Sequence, residues 1–309
     1  MVREHKVKMI PYHKEPSSYL QHGDKRVASF VSEGGINSDQ KTVESFGEEW
    51  SKFDAFSEED LRVAGDQYFD IITDKMVNKD TVALDVGCGT ARWSRYISSK
   101  VKFVEGIDPS KAVFSAMEMT KDLNNVRITQ ADTDSLPFAD ESFDFVFSLG
   151  VLHHIPDTEM AMIKSVKKLK KDGYFLVYLY YRFDQRSILF KSVFYLSHFI
   201  RLITSKLPAG LKKFTCDVIA VTVYMPMVYL TKLVKTIAPK SKAYTRIPLS
   251  YYADKSFNII RNDSLDRFGT PLEQRFTKVE IEAMMKKAGL TDITFSNNEP
   301  YWHAVGRKA

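Results

Sequence analysis

The chain has 309 residues, 44% hydrophobic and 27% charged, which is enough to bury a sizeable core in one large domain or a domain with a substantial insertion. Two cysteines, Cys88 and Cys216, do not make a disulfide framework, and they fit a reduced, cytoplasmic setting. The net charge of +5 is uneven: from Arg182 to Arg261 fourteen Lys or Arg face three acids, a local +11 that leaves −6 for the rest.

The N-terminal stretch is charged and lacks the apolar core of a secretory signal. Residues 1–40 are polar and read as an arm or a loosely docked cap. From Thr42 to Met76 the pattern is helical, and Phe46, Trp50 and Phe53 fall four and then three apart, on one helix face. That stripe is either core or the wall of a cap that closes on a ligand; Trp50 is taken as a substrate-side candidate.

From residue 82 strands and helices alternate. Strands are expected at Val82–Val86, Phe103–Ile107, Val126–Gln130, Phe143–Leu149 and Tyr174–Tyr180. Helices are expected at Arg92–Ser99, Ser110–Asp122 and Thr158–Lys170. Short connections in that rhythm predict a parallel sheet covered on both faces. The rhythm stops at Arg182 and resumes at Thr277, an N-cap with Glu280 three residues on and Gly289 as the stop. Asp292–Ser296 and Trp302–Arg307 then read as an antiparallel pair at the sheet edge. The expected division is therefore 1–76 (arm and helical cap), 77–181 (core), 182–276 (inserted helical, basic and aromatic lid) and 277–309 (completion of the core).

Ligands of open parallel sheets bind beyond the carboxyl ends of the strands. There the first strand runs into Gly87-Cys88-Gly89, where missing Cβ atoms let backbone turn and approach a ligand. The helix that follows aims its N–H groups and positive dipole end at the same place. Asp85, Asp108 and Asp132 sit at three successive strand ends, where acids can accept from ribose hydroxyls and an adenine amino group. A dinucleotide site would want GxGxxG, and Arg92 stands where the last glycine belongs.

LDVGCGTARWS, VEGIDPS, ITQADTDSLPFADESFDFVFSLGVLHHIPD and LKKDGYFLVYLY, in that order, resemble class I S-adenosylmethionine-dependent methyltransferases. The likeness is to the small-molecule group that includes quinone, sterol and glycan methylases, and it covers roughly 80–181 and 277–307. It implies an α/β, Rossmann-like, seven-stranded, mostly parallel sheet with an antiparallel edge strand, plus the inserted helical lid. It also implies S-adenosylmethionine as cofactor. Carried over, Asp85, Gly87, Cys88 and Gly89 would line its methionine half, and Asp108 would hold the ribose with Pro109 beside the adenine. Asp132 and Thr133 would take the adenine amino group and ring edge, and Leu149 and Gly150 would face the methyl donor. Ala91 departs from the third glycine of many members.

A sulfonium methyl is already activated, so alignment and exclusion of water are the main tasks. A base is needed only where the acceptor loses a proton. His153 and His154 are the catalytic candidates, with ordering of their loop as the alternative role. Tyr181, Arg182, Arg275 and His303 are further polar groups that could reach an acceptor. No Cys/His spacing for a metal is present.

In the insert, Val218–Leu230 runs thirteen residues without a charge, interrupted by Pro226, and is too short to cross a bilayer by itself. Basic amphipathic helices with aromatic residues suit an anionic membrane surface or an acceptor on a lipid phosphate. No nucleic-acid motif accompanies the charge, and a nucleic-acid partner is not expected. The function read from the sequence is methyl transfer to a small-molecule or lipid- or glycan-linked acceptor, in the cytoplasm or peripheral to the inner face of a membrane. A catalytically silent cofactor-binding protein is the alternative. The oligomeric state is open.

Overall fold

The computed structural model describes residues 9–23, 25–31, 37–50, 58–182, 188–241 and 243–309. They form two compact units, Met1–Asp184 with Leu272–Ala309, and Gln185–Pro271.

Among the described residues the first unit has nine strands: β1 (Ser18–His22), β2 (Lys25–Ser29), β3 (Val82–Val86), β4 (Phe103–Asp108), β5 (Val126–Gln130), β6 (Phe143–Leu149), β7 (Leu169–Tyr178), β8 (Leu290–Phe295) and β9 (His303–Lys308). Their order is β1-β2-β5-β4-β3-β6-β7-β9-β8. From β5 to β7 all neighbours are parallel. Such strands are buried on both faces and read as apolar runs, which is why they were visible in the sequence. Alternate residues feed two cores. Leu84, Val86, Val146, Phe175 and Val177 pack on one face, and Ala83, Phe145, Phe147 and Leu176 on the other.

The helices of this unit are α1 (Gln40–Trp50), α2 (Glu58–Tyr68), α3 (Arg92–Ser98), α4 (Ala112–Met119), α5 (Thr158–Lys167) and, after the insert, α10 (Lys278–Lys287). Thr277 and Glu280 close a reciprocal capping box at the start of α10. The helical pattern expected through Met76 ends instead at Tyr68. Two residues on, Asp70 accepts hydrogen bonds from Ser296 Oγ (2.7 Å) and Asn298 Nδ2 (2.8 Å), tying this stretch to the β8–β9 connection.

Two features depart from the seven-stranded expectation. The antiparallel strand, β9, lies between β7 and β8, so β8 is outermost. At the other end, the polar N-terminal segment is docked rather than loose. β1 and β2 form a hairpin, and Ser29 of β2 pairs in parallel with Gln130 of β5. The Tyr12 ring packs 4.7 Å from that of Phe30, and its hydroxyl meets Thr129 Oγ1 at 2.7 Å. Beneath it Glu105, fully buried, accepts from Arg127 Nε (2.7 Å) and Thr129 Oγ1 (2.5 Å). A two-strand edge held by one aromatic anchor and a buried ion pair leaves little hydrophobic periodicity to read.

The second unit contains α6 (Ile188–Thr204), α7 (Ala209–Ile219), α8 (Met225–Ile237) and α9 (Phe257–Gly269). One π-helical turn, Ala220–Tyr224, joins α7 to α8, so Pro226 does not interrupt the helix as expected. Its ring would meet the carbonyl four residues back, at Thr222, and the widened turn lies there. Gly210–Ile237 is thus one 28-residue helix, long and apolar enough by length and composition to cross a membrane. Its inner face packs Cys216, Ala220, Tyr224 and Val228 against Tyr252, Ile260 and Phe268.

Candidate functional site

The strand ends of β5, β4, β3 and β6 lie side by side and carry the expected cofactor residues. Gly87 and Cys88 both donate their N–H to Ile107 O at 2.8 Å, which pins the turn after β3 to β4. The turn runs through positive φ at Gly87 (79°), Gly89 (53°) and Ala91 (62°). A Cβ on Gly87 would lie 2.3 Å from Val151 Cγ1, whereas one on Gly89 would meet nothing within 4 Å. The first glycine is needed for packing; the second faces open space. The left-handed Ala91, fully buried, explains why a glycine is at home there.

Asp85, 1% exposed, accepts from Ser94 Oγ at 2.7 Å through Oδ2, while its Oδ1 has no partner. Burial, with the Asp108 charge adding, pushes its carboxyl up to about 7. Thr90 Oγ1 is likewise buried without a hydrogen bond. Native interiors seldom leave such atoms unmatched, and these two flank one glycine turn. Burial pushes the Cys88 thiol well up, so it is a neutral wall.

Asp108 is anchored three times. It accepts from Gly89 N (3.0 Å), Ser110 N (2.9 Å) and Ser110 Oγ (2.6 Å). A carboxylate has about four acceptor positions, so it keeps roughly one for a ligand hydroxyl. Pro109 O accepts from Gln130 Nε2 (3.0 Å). Asp132 accepts from Asp134 N (2.9 Å), and Thr133 beside it is buried. At the end of β6, Leu149 is buried and Gly150 adopts φ 80°.

A short 3-10 turn, Leu152–His154, follows β6. His153 is fully buried, its ring 3.9 Å from Tyr180 and 4.1 Å from His154, with no hydrogen bond to either nitrogen. Burial, with His154 and Arg275 adding, holds it well below the usual histidine range, so the ring is neutral. His154 Nδ1 donates to Leu272 O (2.7 Å), and Phe46 of α1 meets that ring edge-on at 4.8 Å. The returning chain straps this turn in place: Gln274 N donates to His153 O (2.9 Å), and its Nε2 to Ile155 O (2.7 Å).

The four remaining candidates fare differently. Arg275 is brought to the histidines, its guanidinium 5.2 Å from the Tyr180 ring and paired with Glu273 (2.8 Å). Tyr181 packs edge-on against Trp302 and Tyr301 instead. Arg182 grips Arg275 O (2.9 Å) and Glu280 (2.9 Å). His303, expected to reach an acceptor, is a fully buried tie between Pro300 O and Asp70 Oδ1, each at 2.7 Å. The Trp50 side chain and Phe53 lie outside the described residues.

Sequence reasoning passed over Thr90, Ser94, Ser110 and Tyr180. Ser110 had a signal, since a serine two residues after a strand-end acid can turn back onto it. The others depend on contacts that spacing does not report. Among the described residues no group of three or more His, Cys, Asp or Glu could hold a metal ion.

A family model described as a methyltransferase domain matches residues 84–177. An uncharacterized methyltransferase of Bacillus subtilis, YcgJ, is 35% identical over 101 residues, covering 32% of this chain and 40% of that protein. The demethylmenaquinone methyltransferase of Staphylococcus haemolyticus is 36% identical over 107 residues, covering 33% and 45%. The chain thus spans less than half the length of these relatives. The crystal structure of Bacillus subtilis YcgJ aligns over 77% of this chain and 70% of that one, with a TM-score of 0.45 and 17% identity.

Proposed function

We propose that this chain, in which residues 84–177 match a methyltransferase-domain model, is a class I S-adenosylmethionine-dependent methyltransferase that transfers a methyl group in line to a small-molecule acceptor, free or linked to a lipid or glycan. A demethylmenaquinone methyltransferase among the relatives supports a small-molecule acceptor. We further infer a cytoplasmic site of action, with peripheral membrane contact through 182–262.

The observation that carries the reading is the pair of unpartnered buried atoms, Asp85 Oδ1 and Thr90 Oγ1, beside the open Gly89 turn. Asp85 would receive the cofactor's ammonium, Gly87, Cys88 and Gly89 would admit its methionine half, and Asp108 would bind the ribose. Pro109, Asp132 and Thr133 would hold the adenine, with Leu149 and Gly150 beside the transferring group. Bound there, the cofactor supplies a methyl on cationic sulfur that needs no further activation.

The chain's task is then to hold the acceptor ~3 Å from that methyl and keep water out. His153 presents unpaired nitrogens in neutral form, suited to accept a hydrogen bond from an acceptor hydroxyl or amine. Because burial opposes the imidazolium, it orients the acceptor better than it removes a proton. His154, fixed by Leu272, packs its ring against that of His153 and so holds it in place.

Calorimetry with S-adenosylmethionine tests the cofactor half: Asp108→Ala is expected to weaken binding at least ~10-fold, and unchanged binding would sink the reading. For the transfer half, S-adenosylhomocysteine released with cell extract is compared with a Gly87→Arg control. Release with wild type and none with His153→Gln, at preserved cofactor affinity, is the expected result. Silence across extracts would favour a catalytically silent binder.

A further inference from the structure

The unit Gln185–Pro271 buries one apolar cluster but leaves a second apolar face outside. α6 turns Arg201 and Thr204 inward, both nearly fully buried, and Arg201 donates to Thr270 O (2.9 Å) and Pro271 O (3.1 Å). Outward it shows Tyr195, Leu196, Phe199, Leu202 and Ile203, with Tyr195 65% exposed. The long helix repeats the pattern. Its inner face meets polar groups of the α9 region: Arg261 pairs with Asp217, Ser264 with Cys216 O, and Tyr224 with Asp263. Its outer face carries Leu211, Phe214, Val218, Val221, Tyr229 and Leu233, spaced so that they line one side, with Phe214 65% and Tyr229 62% exposed. Such a run is larger than the scattered apolar residues of an ordinary soluble surface.

We propose that this outer face of Gly210–Ile237 docks in the plane of a membrane leaflet rich in anionic phospholipid. The proposal rests on the reading of peripheral contact and specifies its face, orientation and lipid. Charge selects the partner. Lys212 and Lys213 stand near one end of the stripe, Lys232 and Lys235 near the other, and the unit carries fourteen Lys or Arg against four acids. A second copy would set +10 against +10, whereas anionic headgroups match it. Length would allow the helix to span, but crossing would carry Arg261, Asp263 and their partners into hydrocarbon. Lying flat puts only the apolar face at the acyl boundary and leaves the lysines among headgroups.

The test uses the full chain with vesicles of phosphatidylcholine and phosphatidylglycerol mixed about 2:1, at low and high salt. Wild type is expected to co-sediment at low salt and be released by high salt. Phe214→Gln with Val221→Gln and Leu233→Gln, all at exposed positions, is expected to bind at least ~10-fold more weakly. A Phe214→Trp reporter should shift its emission to the blue on vesicles. Cofactor affinity, measured by calorimetry, should be unchanged in every variant, which separates this proposal from the methyl-transfer reading. No wild-type binding would overturn membrane contact itself. Equal binding by the triple variant with no Trp shift would overturn the face. Retention after salt and alkaline carbonate would overturn the in-plane orientation. Dimerisation without vesicles, lost in the triple variant, would assign the face to a second copy.

Discussion

In the sheet unit apolar side chains lie inside, and most of the buried polar atoms left unmatched, those of Asp85, Thr90 and His153, lie at or beyond the carboxyl ends of β3 and β6, with Trp302 Nε1 apart from them. In Gln185–Pro271 an apolar cluster lies inside together with Arg201 and the Tyr224–Asp263 contact, and a further set of apolar side chains stands outside. On the reading proposed above, unsatisfied polarity in the first unit would be completed by a small polar ligand, and unsatisfied apolarity in the second by an extended apolar surface. The two deficits differ chemically, so they can be broken separately.

The largest expected effect is a pH dependence of the sheet unit. The Asp85 carboxyl is pushed up to about 7, while an unfolded aspartate titrates near ~3.9. Between those values the folded state holds the proton and the unfolded chain does not. Stability therefore falls as pH rises from ~4 to about 7 and stays lower above it, with a ceiling of ~4 kcal/mol. His153, held low, acts oppositely and costs stability below ~6.5. Glu105, buried in the same unit, is likewise pushed up to about 7 by burial. The difference between wild type and Asp85→Asn in denaturant unfolding across pH therefore isolates the Asp85 carboxylate, and the variant should lack only the Asp85 share of the fall. Cofactor affinity of wild type should rise with pH through about 7, as the cationic end needs the carboxylate, and this rise too should vanish in Asp85→Asn.

Next comes Gly87→Ala, which meets both positive φ and Val151. A cost of ~3 kcal/mol in unfolding free energy is expected, together with loss of cofactor binding in calorimetry. Vesicle binding should persist; if both fall together, the two units are not energetically separate. A smaller effect sharpens the other side of the comparison. Arg201→Met removes the buried donor to Thr270 and Pro271 and should lower stability by ~2 kcal/mol with cofactor affinity intact. The smallest is Ala91→Gly, where relief of left-handed strain, ~1 kcal/mol, offsets loss of a buried methyl of similar worth. A midpoint shift beyond ~0.5 kcal/mol in either direction would show that one of the two dominates.

The strand boundaries from Val82 to Leu149, the turn at Gly87–Gly89, the acids Asp85, Asp108 and Asp132, and the Thr277–Glu280 cap were legible in the chain. Each follows from burial on two faces, from backbone freedom or from a contact within a few residues. Tertiary structure decided the rest. The hairpin Ser18–Ser29 became sheet through Tyr12 and its contacts with the Thr129–Glu105 pair, which lies more than ninety residues further along the chain. His303 was claimed by Asp70, 233 residues away, and the neutral state of His153 came from Tyr180 and its burial. Periodicity in α6 and in Gly210–Ile237 told which side chains share a face, but not which face would be covered. That choice depends on what the rest of the chain supplies to pack against it: α9 covers Cys216, Ala220, Tyr224 and Val228 with Ile260 and Phe268, and the side carrying Phe214, Val221 and Leu233 stays outward.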